Sequence, residues 1–210
     1  MSASTLFDAE RRIGVLGGTF DPPHLGHLWL ATLAADALGL ERVLFMPASQ
    51  PPHKAGQEVA DAADRLAMTR AAIADDPRLE LSTIEMERPG PSYTVDSLVA
   101  LRATLGPEVA LCLVMAADSL ASIATWREPD RILALAEWAV GPRPGTPVPE
   151  RAALEDRFGE AAARIHLLDG PGLAISASQI RGRVAAGRAI RYLVPRAVEA
   201  LIADRHLYQR

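Results

Sequence analysis

Lysine is nearly missing from this chain of 210 residues: 21 of its 22 basic residues are arginine, and the remaining one is Lys54. Cysteine is as scarce. Cys112 is the single one, which excludes an intramolecular disulfide, and its place in the apolar run Val109–Met115 reads as a small core residue. No apolar stretch exceeds the length of a strand, so a spanning helix is not expected. The first twelve residues are charged and have no apolar signal core. The expectation is a cytoplasmic protein with a loose leader over 1–11 and a single domain over 12–210. Net charge is −4 and pI about 5.7, which supplies no overall positive field for nucleic acid or for a membrane surface. Two glycine-rich phosphate motifs are also missing. G-x-G-x-x-G fails because Leu16 stands at its second glycine, and no G-x-x-x-x-G-K-[ST] occurs.

What is present, 49% hydrophobic and 23% charged residues, suits one globular domain with a full core. Apolar periodicity alternates between strand and helix. The pattern predicts strands over 13–17, 42–46, 79–84, 109–115, 137–141 and 165–168. It predicts helices over 25–38, 61–75, 94–105, 119–123, 128–135, 149–163, 177–186 and 195–204. Strands separated by helix-length crossovers predict an α/β fold: a Rossmann-like, doubly wound parallel sheet with helices on both faces and a helical C-terminal segment. Ligands in such folds bind beyond the C-terminal ends of the strands. The segments at those ends are 17–27, 47–54 and 116–118.

The most informative segment is Gly17-Gly18-Thr19-Phe20-Asp21-Pro22-Pro23-His24-Leu25-Gly26-His27. It runs from a buried strand through a glycine-rich turn to the start of a helix. Unpaired N–H groups and the partial positive charge of a helix N-terminus suit a phosphate. His24 and His27, three apart, share the helix face that points there. The H-x-x-H spacing alone would also fit zinc, but no third ligand type clusters with it, so no metal site is assigned to the chain. Ser176-Ala177-Ser178-Gln179-Ile180-Arg181 opens a second helix. Ser176 with Gln179 fits a capping box. Arg181, with Arg183, Arg188 and Arg191 behind it, fits either a second phosphate site or a solvated helix face. Asp118 suits a ribose contact or a helix N-cap, Thr94 a cap, and Trp126 a base-stacking or a packing role. His166 and His206 stand far from these motifs and read as structural or surface residues.

Residues 17–27 fit G-G-T-F-D-P-x-H-x-G-H and residues 175–181 fit I-S-x-[ST]-x-x-R. Together with Pro52-His53-Lys54, Ser92–Asp96, Ala117–Trp126, Ile190–Pro195 and Leu207-Tyr208, they make the chain, over about 13–208, resemble the bacterial nicotinate-nucleotide adenylyltransferases. These lie within the wider nucleotidyltransferase superfamily marked by H-x-G-H. The resemblance implies adenylyl transfer from ATP to nicotinate mononucleotide, giving deamido-NAD and pyrophosphate with Mg²⁺, a step of NAD biosynthesis. It implies a catalytic set of His24, His27, Lys54 and Arg181. It implies an ATP site of Gly17, Gly18, Thr19, Phe20, His24, His27, Asp118, Ile175, Ser176 and Arg181, with Asp118 on the ribose. It places the mononucleotide against His53, Lys54, Tyr93, Thr94, Trp126 and Arg127. The chain departs from the pattern at Ala116, where a glycine is usual, at Ser178 and at Arg127. The alternatives are a sister enzyme that adenylates nicotinamide mononucleotide or phosphopantetheine, and a non-catalytic nucleotide-binding regulator. Whether the chain forms a homo-oligomer is open.

The implied chemistry needs no general base, because a phosphate oxygen is already an anionic nucleophile near neutral pH. The burden is positioning two polyanions and stabilising the charge of departing pyrophosphate. A preference for nicotinate over nicotinamide is expected from N–H donors at the start of helix 94–105. No acidic residue in 91–95 opposes it, and Arg127 is expected to add attraction.

Overall fold

A computed structural model describes residues 11–51 and 59–209. Six parallel strands form one sheet: β1 (Arg11–Gly18), β2 (Arg42–Pro47), β3 (Leu79–Leu81), β4 (Val109–Ala116), β5 (Glu137–Gly141) and β6 (Ile165–Leu167). Their order is β3-β2-β1-β4-β5-β6, so the chain winds outward from β1 on one side and from β4 on the other. The reversal between β1 and β4 is the crevice where doubly wound folds take their ligands. Register pairs Val15 with both Leu44 and Leu113.

Side chains alternate across the sheet, and each face carries its own core. Ile13, Val15, Leu111, Leu113, Trp138 and Val140 face α3 (Thr94–Leu105), α4 (Ala117–Ala121), α5 (Pro129–Leu135) and α6 (Arg151–Phe158). Leu16, Val43, Phe45, Cys112, Val114 and Ala139 face α1 (Leu25–Leu38), α2 (Ala62–Ile73), α7 (Ala177–Ala185) and α8 (Arg196–Asp204). Cys112 is therefore the core residue expected, and burial pushes its thiol up to about 12, far from reactive. Helix α8 docks through Val198 and Ile202, four apart and both buried. Large aliphatic side chains are worth roughly 1.5–3 kcal/mol each when fully buried.

Several boundaries differ from expectation by one to five residues, and four of them have a local reason. Strand β1 begins at Arg11 rather than 13 because Arg11 and Arg12 pair with Val109 and Ala110. Strand β3 stops at Leu81 rather than 84, since β2 offers it partners only from Val43 to Phe45. Helix α6 ends at Phe158 rather than 163, where Gly159 takes a left-handed φ of 57°, and a 3₁₀ segment continues to Arg164. Helix α4 begins at Ala117 rather than 119, so Ala116 is its N-cap and the capping role weighed for Asp118 is not used. Likewise Tyr93, not Thr94, is the N-cap of α3. Among the described residues no helix is long and apolar enough to cross a membrane. The expected leader, residues 1–11, lies outside the described residues up to position 10.

Candidate active site

Beyond β1, the chain must turn sharply to start α1 over the sheet. Phe20 takes a left-handed φ of 50° and buries its ring between His27 and Phe45, at centroid distances of 5.0 and 5.4 Å. A Cβ on Gly18 would meet that ring at 3.1 Å, which explains glycine there. Arg65 of α2 holds the turn from beneath. It is 3% exposed, and its guanidinium donates to the carbonyls of Thr19 (3.1 Å), Ala48 (2.6 Å), Ser49 (3.2 Å) and Ala60 (3.0 Å). The loops after β1 and β2 are thus fixed to each other.

His24 is the N-cap of α1 and His27 its third residue. Their rings stack at 3.7 Å. The His24 backbone N–H donates to Nδ1 of His27 at 3.2 Å, so a neutral His27 carries its proton on Nε2. The reciprocal half of this capping-box arrangement lacks a proper hydrogen bond: Nδ1 of His24 is buried without a partner. Gly26 fits between them because a Cβ there would lie 3.0 Å from that Nδ1. Burial, and then the nearby Arg143 charge, push His24 down to about 4. At neutral pH it is an uncharged donor. The helix start is also less open than expected. The Leu25 N–H donates to Leu193 and the His27 N–H to His24, leaving Gly26 facing the cavity.

The start of α7 closes the same cavity. The predicted capping box is formed: Gln179 N–H donates to Ser176 Oγ at 3.3 Å, and Ser176 N–H to Gln179 Oε1 at 3.2 Å. Ala177 and Ser178 line the cavity with their helix-start backbone. Arg181 donates to the Asp21 carbonyl at 2.8 Å and lies 3.5 Å from its carboxylate. Two of the other arginines go elsewhere: Arg183 to the Ala189 carbonyl and Arg191 to Glu199. One residue here was missed by sequence reasoning. Arg143, in the loop after β5, lines the cavity, donates to the Ile175 carbonyl at 2.9 Å and sits 3.6 Å from Asp118. Its position just past a predicted parallel strand was the available signal. Ile175 thus serves through its backbone, and Asp118 stands half exposed at the rim with Oδ1 accepting from the Ser119 N–H.

Two cavities of about 320 and 300 Å³ adjoin over the C-terminal ends of β1 and β4, sharing Gly17, Thr19 and Ser119. The smaller is the polar one just described. The larger is walled by Tyr93, Thr94, Trp126, Met46 and Met115, with Gly18 at its edge. Ser92 Oγ ties its rim to the loop after β2 by accepting from the Ser49 N–H at 2.9 Å. Arg127 lines it but is engaged, with its guanidinium 4.9 Å above the Tyr93 ring and near Asp96 (3.8 Å) and Glu128 (3.5 Å). Glu85, unnoticed in the sequence, also lines this cavity. It is 5% exposed, accepts from the Ser97 hydroxyl, and burial raises its carboxyl. His53 and Lys54 lie outside the described residues. Among the described residues, no three metal-ligating side chains gather. The imidazoles, hydroxyls and scattered carboxylates of the polar cavity suit an ion carried in on phosphate oxygens and water, as Mg²⁺ commonly is.

The Cytidylyltransferase-like family pattern matches residues 15–183. A protein named as a probable nicotinate-nucleotide adenylyltransferase from Roseiflexus sp. is 48% identical, over 94% of this chain and 98% of its own. One of the same name from Thermomicrobium roseum is 46% identical over 94% and 92%, and one from Thermus thermophilus 43% over 94% and 100%. The fold matches Plasmodium falciparum nicotinic acid mononucleotide adenylyltransferase complexed with NaAD, at TM-score 0.78 and 16% identity, covering 94% of this chain and 97% of that one. The reversal point of the sheet, the histidine-bearing helix start beside it and relatives alike along nearly their whole length agree, and the chain belongs to the nicotinate-nucleotide adenylyltransferases of the cytidylyltransferase-like family.

Proposed function

We infer that the protein joins the adenylyl group of ATP to nicotinate mononucleotide, releasing pyrophosphate and forming deamido-NAD. The observation that carries this is the pair of adjoining cavities, one apolar and aromatic, one polar and flanked by two helix N-termini. A dinucleotide has two such halves joined at a pyrophosphate, and the shared wall at Gly17 and Thr19 is where that bridge would form. The P. falciparum proteins of the same fold are complexed with NaAD and with APC, which supports a nucleotide reaction of this class.

In this reading an oxygen of the mononucleotide phosphate attacks the α-phosphorus of ATP in line, and the bond to the β-phosphate oxygen breaks as pyrophosphate leaves. His24 and His27 donate N–H groups to the phosphates, joined by the Gly26, Ala177 and Ser178 backbone and by Arg181. Asp118 takes the ribose hydroxyls once its contact with Arg143 is exchanged. Tyr93 and Trp126 flank the pyridine ring, and the start of α3 turns backbone N–H groups toward its carboxylate. His53, Lys54 and Arg127 complete the mononucleotide site. Mg²⁺, bound with ATP, offsets phosphate charge. No side chain is required to accept a proton.

An assay of ATP with nicotinate mononucleotide, nicotinamide mononucleotide and phosphopantetheine, following pyrophosphate and the adenylated product, tests the reading. Turnover with nicotinate mononucleotide at the highest kcat/KM is expected. Higher kcat/KM with either other acceptor, or no turnover with any, refutes it.

A further inference from the structure

Asp21 is the most deeply enclosed carboxylate of the site, with no exposed surface, and its partners come from three distant parts of the chain. Its Oδ1 accepts from the Tyr208 hydroxyl at 2.7 Å and from the Ala60 N–H at 3.3 Å. Its Oδ2 is buried without a hydrogen bond, 3.5 Å from Arg181 Nη1, which itself donates to the Asp21 carbonyl. Tyr208 lies 187 positions away, near the C-terminus, and Arg205 of the same tail pairs with Asp64 on α2. A buried carboxylate with one orphan oxygen is costly unless a cation offsets it. Arg181 is the cation paired with it, and the Arg65 guanidinium also acts on it.

We propose that Tyr208 is a positioning residue for the ATP site: by holding Asp21, the docked C-terminal tail fixes the Arg181 guanidinium in its phosphate-binding pose. The inference rests on the assignment of Arg181 to the ATP phosphates. The chain of contacts is short and directional. The Tyr208 hydroxyl pins one carboxylate oxygen, which fixes the plane of the other. That oxygen and the Asp21 carbonyl together restrict Arg181 through Nη1, while Nη2 donates at 3.4 Å to the hydroxyl of Ser178, which lines the polar cavity. Nothing in this chain of contacts reaches the apolar cavity. The effect should therefore be confined to ATP and absent for the mononucleotide.

Tyr208→Phe keeps the ring packed against the core of that face and removes the hydroxyl, with its hydrogen bond to Asp21 and its weak contact with Met68 Sδ. Its KM for ATP should rise about tenfold, the size of one hydrogen bond, with KM for the mononucleotide unchanged. Asp21→Asn, which keeps an acceptor for Tyr208 but removes the charge, should shift the same constant in the same direction and serves if the first variant folds poorly. In an Arg181→Ala background, where KM for ATP is already raised, Tyr208→Phe should add nothing. An additive effect, equal changes for both substrates, or a lowered Tm with an unchanged KM for ATP would overturn the positioning role while leaving Arg181 its own. An Arg181→Ala protein with normal KM for ATP would instead refute the phosphate assignment on which the proposal stands.

Discussion

His24 illustrates how much of a residue's chemistry lies outside its motif. The spacing from His27 made it a phosphate ligand, and free in water it would be half charged near pH 6.5. Inside the fold it is 5% exposed and beside Arg143, which leaves it neutral down to about pH 4. Below its ordinary value the unfolded chain takes up a proton that the folded one refuses. The depressed value therefore contributes stability at neutral pH that is lost as pH falls from about 6.5 toward 4, at roughly 1.4 kcal/mol per pH unit. Chemical denaturation of the wild type between pH 7 and 5 should show this slope, and His24→Asn should flatten it. Equal slopes in the two proteins would mean that His24 titrates normally. Arg143 could not be read from spacing because its partners Ile175 and Asp118 are remote in the chain, and Glu85 because its burial comes only with the fold.

At the scale of elements, the sequence pattern was legible wherever a strand or helix carries its own boundary signals. Gly39 ends α1 in the left-handed region, and Ser176 with Gln179 opens α7, both as local chemistry dictates. The pattern failed where the boundary depends on a neighbour, as at β3, which pairs with β2 only over Val43–Phe45 although β2 runs on to Pro47. The aromatic wall of the larger cavity is of the second kind. Trp126 follows a 3₁₀ turn at 123–125 and Tyr93 caps α3, and only the fold brings them to one cavity. Trp126→Ala removes one side of that wall, so KM for the mononucleotide should rise roughly tenfold or more, with KM for ATP nearly unchanged, since aromatic stacking is worth about 0.5–1.5 kcal/mol beyond area. A matching rise in both constants would place Trp126 in general packing. Arg127, stacked on Tyr93 and near two carboxylates, braces this wall as well as lining the cavity.

For the whole molecule, alternating strand and helix patterns implied a doubly wound sheet, and the sheet is one. Its strand order, and with it the location of the crevice, becomes visible only when β1 is seen paired to both β2 and β4. An acidic protein that must bring two polyanions together cannot rely on its overall field. It concentrates donors at two helix starts instead, from segments about 150 residues apart, and closes the arrangement with its C-terminal tail. In the proposed reading the two cavities hold the two halves of one dinucleotide. A crystal structure of the protein with deamido-NAD tests this. The account predicts the pyridine ring between Tyr93 and Trp126, the pyrophosphate over Gly17 and Thr19, and the adenosine on the side of His24, His27 and Asp118. A pyridine ring found in the polar cavity, or a product bound away from both cavities, would contradict it.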